Sequence, residues 1–358
     1  MINFNNILFV APNFKKRKGG IASVLNIYAK NIKTFHFFSS AFYQNVRLNF
    51  LLFPINIIGL IGYLIIRRNI KVVHIHGASR GSFYRKYVLF LVAKKLFSKS
   101  VIYHVHGAEY HIFYKEASSF VKKRIKKMIK EVDKLIVLSD EWKRYFSQTF
   151  NVNHISVLNN VIDAQKERTN TVKGPLNILF LGKIGDRKGI FDVLEAVSSN
   201  KEIFQGKIKI TIGGNGSIKK LKNYIEVHKL ESIVKFVGWV LDSQKKVLLD
   251  DANVMILTSY NEGLPISLLE GMSYSLPIIS THVGGIPQIL THKSNGFVVE
   301  PGHINQIIEA LKFYIDNPID LVQHSKNSYN KSKEFFPNEV LKTLNEINSK
   351  LIRINTNE

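Results

Sequence analysis

Apolar positions along the chain gather into short, nearly continuous runs. In the first half they are "ILFVAP" (7–12), "VVHIHG" (72–77), "VIYHVHG" (101–107) and "LIVLS" (135–139). The second half repeats the style with "NILFLG" (177–182), "IKITIGG" (208–214), "VKFVG" (234–238), "VMILTS" (254–259) and "PIIST" (277–281). Unbroken runs of Ile, Val and Leu, instead of strict alternation, mark strands covered on both faces, and longer helical stretches separate them. The pattern predicts an α/β protein with doubly wound parallel sheets. In such folds ligands sit beyond the carboxyl ends of the strands, so the loop after each run is where chemistry is expected.

The chain has 358 residues, more than the roughly 250 to 300 at which a single core stops growing, so two domains are expected. Composition shifts at "NNVIDAQKERTNTVKGPLN", where Gly174 and Pro175 precede a new strand, which places a linker at about 164–175. The expected domains are 1–168 and 175–335, followed by a final helix over 336–358. An apolar fraction of 45% with 22% charged residues fits a folded globular chain and argues against disorder.

Charge narrows the partners. Fifty Lys and Arg against 27 Asp and Glu give a net +23, a field that attracts nucleic acid, nucleotide phosphates or an anionic membrane face. The absence of cysteine excludes a disulfide framework and a thiolate zinc site. "MINFNNILFVAPNF" lacks a charged n-region and a cleavage site and reads as a first strand, so a cytoplasmic protein is expected. Leu48 to Ile66 carry no charge over 19 residues, close to the roughly 20 of a spanning helix. Asn49, Pro54, Asn56, Gly59 and Gly62 interrupt that run, and the expectation is a buried or membrane-surface helix.

Among the loops, "SYNEGLPISLLEGM" (259–272) places Glu262 and Glu270 on either side of a Gly-Leu-Pro. Pro265 suits a first helical residue, which puts Glu262 in the preceding loop and Glu270 within the helix. Amides around Gly263 to Ile266 would form an anion-binding helix start. Two acceptor-only side chains beside such donors suit a ligand with hydroxyls and phosphate, a nucleotide sugar. The alternative is that Glu262 complements the helix dipole and Glu270 is solvated. In "KIGDRKGIFDVLEAV" (183–197), Lys183 and Lys188 bracket a glycine turn before a helix, a phosphate grip unless both are merely solvated.

The glycine loops "KGG" (18–20), "GGNG" (213–216) and "VGG" (283–285) lack the G-x-G-x-x-G spacing, so a dinucleotide site is not indicated, and each by itself is equally a tight turn. His74/His76 and His104/His106 form two H-x-H pairs whose alternate positions share a strand face, as metal ligands would. No Cys, H-E-x-x-H or D-x-D accompanies them, and no metal is expected. His76 and His106, at the strand exits, are expected to face a cleft, with His74 and His104 interior.

Taken in order, "KGGIASVL", "VVHIHG", "VIYHVHG", "LIVLSDEWKRYF", "VLNNVID", "LGKIGDRKG", "VKFVGWV", "SYNEGLPISLLEGM", "VGGIPQIL" and "NGFVVEPG" resemble the retaining glycosyltransferases of family 4. The resemblance spans nearly the whole chain, and its E-x7-E element with G-L-P is the most specific part. It implies the GT-B fold, two Rossmann-like domains facing a central cleft, with nucleotide sugar bound by the second domain and acceptor by the first. It assigns Glu262 to donor-sugar hydroxyls, Glu270 to the ribose, and Gly263, Leu264 and Pro265 to the sugar or phosphate. Lys183, Arg187 and Lys188 would meet the diphosphate, and Gly238 and Val240 would lie near the base. From the first domain Gly20 would approach the donor phosphate, Gly19, Gly20 and His76 the acceptor, and His106 the transferred sugar.

Two departures stand out. The family's usual Arg is Lys183, which lacks the bidentate fork, and the "VGG" loop runs on to Gln288 in place of Glu. The resemblance implies sugar transfer with His106, Glu262 and Lys188 at the reacting centre. A UDP-sugar donor is favoured, with no metal or other cofactor. Retention in the family is attributed to front-face attack, the departing phosphate taking the acceptor proton. The acceptor expected is a lipid-linked glycan or surface polysaccharide. Attachment to an anionic inner membrane face is expected through "KKRK" (15–18) and the basic amphipathic stretch "SSFVKKRIKKMIKEVDKL" (118–135),, the alternative for that stretch being a domain helix with its stripe packed inward and its lysines solvated. The rivals are a sugar-nucleotide epimerase or hydrolase of the same fold, and a non-enzymatic polyanion binder.

Overall fold

The computed structural model describes residues 3–16, 19–41 and 46–354. The chain divides into two compact units, one of residues 1–162 with 335–358 and one of residues 163–334. Each unit holds, among the described residues, a six-stranded sheet whose neighbouring strands are all parallel.

In the first unit the strands are β1 (Ile7–Pro12), β2 (His36–Ala41), β3 (Val72–Gly77), β4 (Ser100–Val105), β5 (Lys134–Val137) and β6 (Ile155–Val157). Their spatial order is β2-β1-β3-β4-β5-β6. β3 and β4 are buried along their whole length, as continuous apolar runs require of strands covered on both faces. The second unit carries β7 (Leu176–Leu181), β8 (Ile208–Gly213), β9 (Val234–Gly238), β10 (Val254–Leu257), β11 (Ile278–Thr281) and β12 (Gly296–Val299). Their order is β12-β11-β10-β7-β8-β9.

Three strands escape the hydrophobic pattern, and β2, β6 and β12 are all sheet edges. An edge strand has a neighbour on one side only and needs less apolar sequence. β2 has three half-buried residues at its start, and β6 is only 3 residues long.

The stretch 164–175, expected as a free linker, is bound to the second unit instead. Arg168 donates to the carbonyls of Tyr274 (2.6 Å), Ala252 (2.7 Å) and Leu249 (3.1 Å). Asn170 Nδ2 is buried and donates to Asn253 O (2.8 Å) and Ser325 Oγ (2.9 Å). Lys166, Glu167, Thr169, Thr171 and Lys173 are exposed, while Arg168 and Asn170 satisfy carbonyls at two helix ends and ahead of β10. The chain returns to the first unit at Phe335, whose carbonyl accepts from Ile162 N at 3.0 Å. The helix Pro337–Ile354 then packs on the helix Gly20–Asn31, burying Val340, Leu341, Leu344, Ile347 and Leu351.

The basic helix Ser119–Glu131 turns its apolar stripe inward. Ile125, Met128 and Ile129 are fully buried in the first unit's core, while Lys123, Lys126, Lys127 and Lys130 are exposed. That part of the stripe is therefore unavailable to lipid and records core packing, while Phe120 at the helix start is 63% exposed. Of "KKRK", Lys15 and Lys16 are exposed, and Arg17 and Lys18 lie outside the described residues. Among the described residues no helix is long and apolar enough to cross a membrane.

Candidate active site

In the second unit the strand order reverses between β7 and β10: the chain runs from β7 through β8 to β9 on one side, then restarts beyond β7 with β10. In doubly wound sheets, the loops leaving the carboxyl ends of strands at such a reversal are where ligands bind. Both sequence motifs arrive there.

After β7 the loop closes in a single turn, Asp186–Lys188, followed by Gly189 at φ 68°. A Cβ on Gly189 would lie 2.0 Å from Thr258 O, so only glycine lets this loop lie against the end of β10. Lys188 Nζ then donates to Glu262 Oε1, and Ser259 Oγ donates to the same oxygen at 2.8 Å. The side chains of Lys188 and Glu262 are 15% and 6% exposed, so this ion pair is shielded from water and from salt. Arg187 Nη1 donates to Asn261 O at 2.8 Å, and Tyr260 N donates to Arg187 O at 2.9 Å. Arg187 thus fastens the two loops together through one of its guanidinium donors. Lys183, on the same loop, is exposed.

The "VGG" loop after β11 supports the other side of Glu262. Gly285 N donates to Gly263 O at 2.6 Å. At Gly284, φ is 60° and a Cβ would meet Glu262 O at 1.9 Å. Gly284→Ala is expected to destabilise the second unit by about 2 kcal/mol or more, the scale of forced backbone displacement at a left-handed position. Urea unfolding of the variant against the parent chain measures this.

Pro265 is extended, at φ −72° and ψ 115°, and precedes the helix Ile266–Ser273 without opening it. Gly263, Leu264 and Pro265 are buried. Glu270 is the fifth residue of that helix and faces Lys245 Nζ at 2.6 Å. Burial raises its carboxyl above the ordinary value, and Lys245 offsets part of that rise. Lys245 belongs to the helix Asp242–Asp251, where no motif marks it, and only the packing of two helices discloses it. Beyond β8 and β9 the glycine loops interlock: Gly214 N donates to Gly238 O at 2.8 Å, and a Cβ on Gly213 would strike Val240 Cγ2 at 2.5 Å.

In the first unit the order reverses between β1 and β3. Gly19, at φ 125°, precedes the helix Gly20–Asn31 after β1. The four histidines form one stack on β3 and β4. His74 Nε2 pairs with His104 Nδ1 at 3.3 Å, and His76 Nδ1 with His106 Nε2 at 2.9 Å. His74, His76 and His104 are buried and His106 is half-buried. His76, expected to face a cleft, is fully enclosed, so it positions His106 and presents no atom of its own. Burial lowers all four imidazoles well below their ordinary value of 6.5, His74 and His106 to about 3. They are neutral at physiological pH.

His74, His76 and His104 have ligand atoms within 4.8 Å of one another, close enough to raise the question of a metal. An imidazole binds a metal along a lone pair in its ring plane. The His74 and His76 rings are stacked 6° from parallel with centroids 4.5 Å apart, so one ion does not lie in both planes. The set does not fit a single bound ion.

Comparison with known proteins matches this geometry. A sequence model described as Glycosyl transferases group 1 matches residues 161–331, and one described as Glycosyltransferase Family 4 matches residues 28–166. The fold is shared with HepE of Anabaena, solved in complex with UDP, at a TM-score of 0.73 and 14% identity, covering 99% of this chain and 100% of that one. The two models together cover residues 28–331, which places the chain with the family 4-like glycosyltransferases, and HepE shares its GT-B fold. The chain is 30% identical to the amylovoran biosynthesis glycosyltransferase AmsK of Erwinia amylovora over 41% of its own length and 38% of AmsK. It is 24% identical to UDP-Gal:alpha-D-GlcNAc-diphosphoundecaprenol alpha-1,3-galactosyltransferase of Escherichia coli, over 75% of this chain and 72% of that one. It spans between 35% and 57% of the length of the first curated relatives it matches.

Proposed function

We propose that this chain transfers a sugar, with retention and without a metal ion, from a UDP-sugar to a lipid-linked glycan or surface polysaccharide at an anionic membrane face. The observation that carries the reading is the buried Lys188–Glu262 pair at the reversal point between β7 and β10. Without ligand, the Glu262 carboxylate occupies the anionic position beside Lys188. With donor bound, Lys188 turns to the diphosphate and Glu262 accepts from sugar hydroxyls. Glu270, held by Lys245, accepts from the ribose. Lys183 and the amides at Gly263 and Leu264 complete the charge facing the leaving diphosphate, and a preorganised field of this kind is the largest single contribution in many enzymes.

The donor phosphate takes the acceptor proton as it leaves, so neither glutamate acts as a base. Gly19, Gly20 and His106, at the carboxyl edge of the first unit's sheet, serve the acceptor and the transferred sugar. The choice of UDP draws on HepE, whose solved complex holds UDP, and on the relative named for UDP-Gal. The lipid-linked acceptor draws on the diphosphoundecaprenol in that relative's name.

Calorimetry in EDTA with UDP, GDP and ADP tests the reading. UDP is expected to bind without metal, and Glu270→Ala to weaken it about tenfold, the loss of hydrogen bonds to one charged acceptor. A metal requirement, or equal binding by the variant, contradicts it. Release of free sugar at the same rate with and without acceptor would favour a hydrolase.

A further inference from the structure

The helix Phe53–Ile66 presents two apolar faces. One packs inward through Leu60 and Leu64, with Asn56 buried beside them. The other is open: Ile55, Ile58, Ile65 and Ile66 are 62%, 70%, 53% and 79% exposed. Their spacing, i, i+3, i+10 and i+11 with Gly62 at i+7, keeps them on one side of the helix. Leu51, 71% exposed, precedes them one turn earlier. A contiguous apolar stripe of this kind marks an interaction surface.

Charge identifies the partner. Residues 1–108 contain 16 Lys and Arg and neither Asp nor Glu, the first carboxylate side chain being Glu109. Arg67 and Arg68 follow the stripe directly and are exposed. We infer that this stripe lies in the surface of an anionic bilayer, the isoleucines among the acyl chains near the headgroups and Arg67 and Arg68 on the lipid phosphates. The helix has 14 residues, about 21 Å at 1.5 Å per residue against a hydrocarbon core of about 30 Å, so it lies along the surface and does not span. A second copy of this chain is a poor occupant, because it would bring the cationic stretch 1–108, which lacks Asp and Glu, against itself,. The inference deepens the membrane attachment proposed above and is independent of the chemistry at Glu262.

The test is sedimentation of the full chain with vesicles of phosphatidylcholine, and of phosphatidylcholine mixed equally with phosphatidylglycerol. The parent chain is expected to bind the anionic vesicles and to be released by salt. A triple Ile55→Ser, Ile58→Ser, Ile66→Ser variant is expected to lose about 100-fold or more in partitioning, the effect of withdrawing three apolar side chains from lipid. Its thermal midpoint should be unchanged, since the three positions are exposed, and this control does not depend on nucleotide binding. Because the chain has no cysteine, an Ile58→Cys variant takes an environment-sensitive dye at one position. Its emission should shift to the blue with anionic vesicles.

Equal binding by the triple variant, an unshifted dye, or equal binding to neutral vesicles overturns the inference. So does a parent chain that elutes as a dimer while the triple variant elutes as a monomer, which would give the stripe to a second copy. Loss of UDP binding with vesicle binding intact would overturn the donor reading and leave this one standing.

Discussion

Replacing Lys188 by alanine is expected to lower kcat for sugar transfer by about 100-fold or more, the scale seen when one preorganised donor to a developing anion is removed. The size follows from where the ammonium sits. Lys188 and Glu262 are enclosed at the reversal point of the second sheet, where water does not replace the lost charge as it would at a surface ion pair. The same substitution leaves Glu262 buried with Ser259 as its remaining donor among the bonds described above. Removing one partner of a buried pair costs about 3 to 5 kcal/mol, so stability falls as well. Two further variants separate these effects. Lys188→Arg keeps the charge and should recover part of kcat. The double variant Lys188→Met, Glu262→Gln removes both charges and should recover stability without recovering kcat. Initial rates at saturating donor, with urea midpoints for the same proteins, read both quantities. A Lys188→Ala rate within a few-fold of the parent would remove Lys188 from the reacting centre.

The histidine stack makes the first unit acid-labile. Unfolded, each imidazole titrates near 6.5; folded, burial lowers His74 and His106 to about 3. Above the unfolded value both states are neutral and pH has no effect. Below it the unfolded chain takes up protons that the folded chain refuses, so stability falls from about pH 6.5 down towards pH 3. At pH 5 that difference is about 2 kcal/mol for each of His74 and His106. His76 and His104 are lowered well below their ordinary value too, by burial first and then by the neighbouring imidazoles of His74 and His106, and His76 also by the enclosed Lys86. The urea midpoint of the first unit should therefore drop steeply between pH 7.5 and pH 5, with a shallower slope in His74→Gln. A flat profile would show that the histidines take up protons without unfolding.

Much of this was legible in the one-dimensional pattern. Interior strands announce themselves because both faces are covered and nearly continuous apolar sequence is demanded, with the histidines of β3 and β4 as the polar exceptions. Glu262 and Glu270 were legible because a loop that leaves a strand and opens a helix needs Gly and Pro at set places, and acids beside them stand out. Lys188 was legible for the same reason, through the glycine turn around it. The edge strands β2 and β6 were not, since they are only partly buried and demand less apolar sequence, and β12 was missed because its apolar run is only 4 residues long. Lys245 was invisible too, since its partner Glu270 is 25 positions away and nothing local favours lysine there.

By itself, then, the sequence determined the α/β class, the two parallel sheets and the loops that carry the chemistry, because strand burial and turn geometry are local demands on residue type. Tertiary structure decided which side of each amphipathic element is covered. Periodicity states that a helix has an apolar stripe, but not what lies against it. Thus the lysine-rich helix Ser119–Glu131 turned its stripe to the core, His76 closed over instead of opening to a cleft, and the uncharged run from Leu48 became a helix with isoleucines left bare. It likewise decided that Lys188 and Glu262, 74 residues apart, meet at one point, because only the crossing from β9 back to β10 brings their loops together.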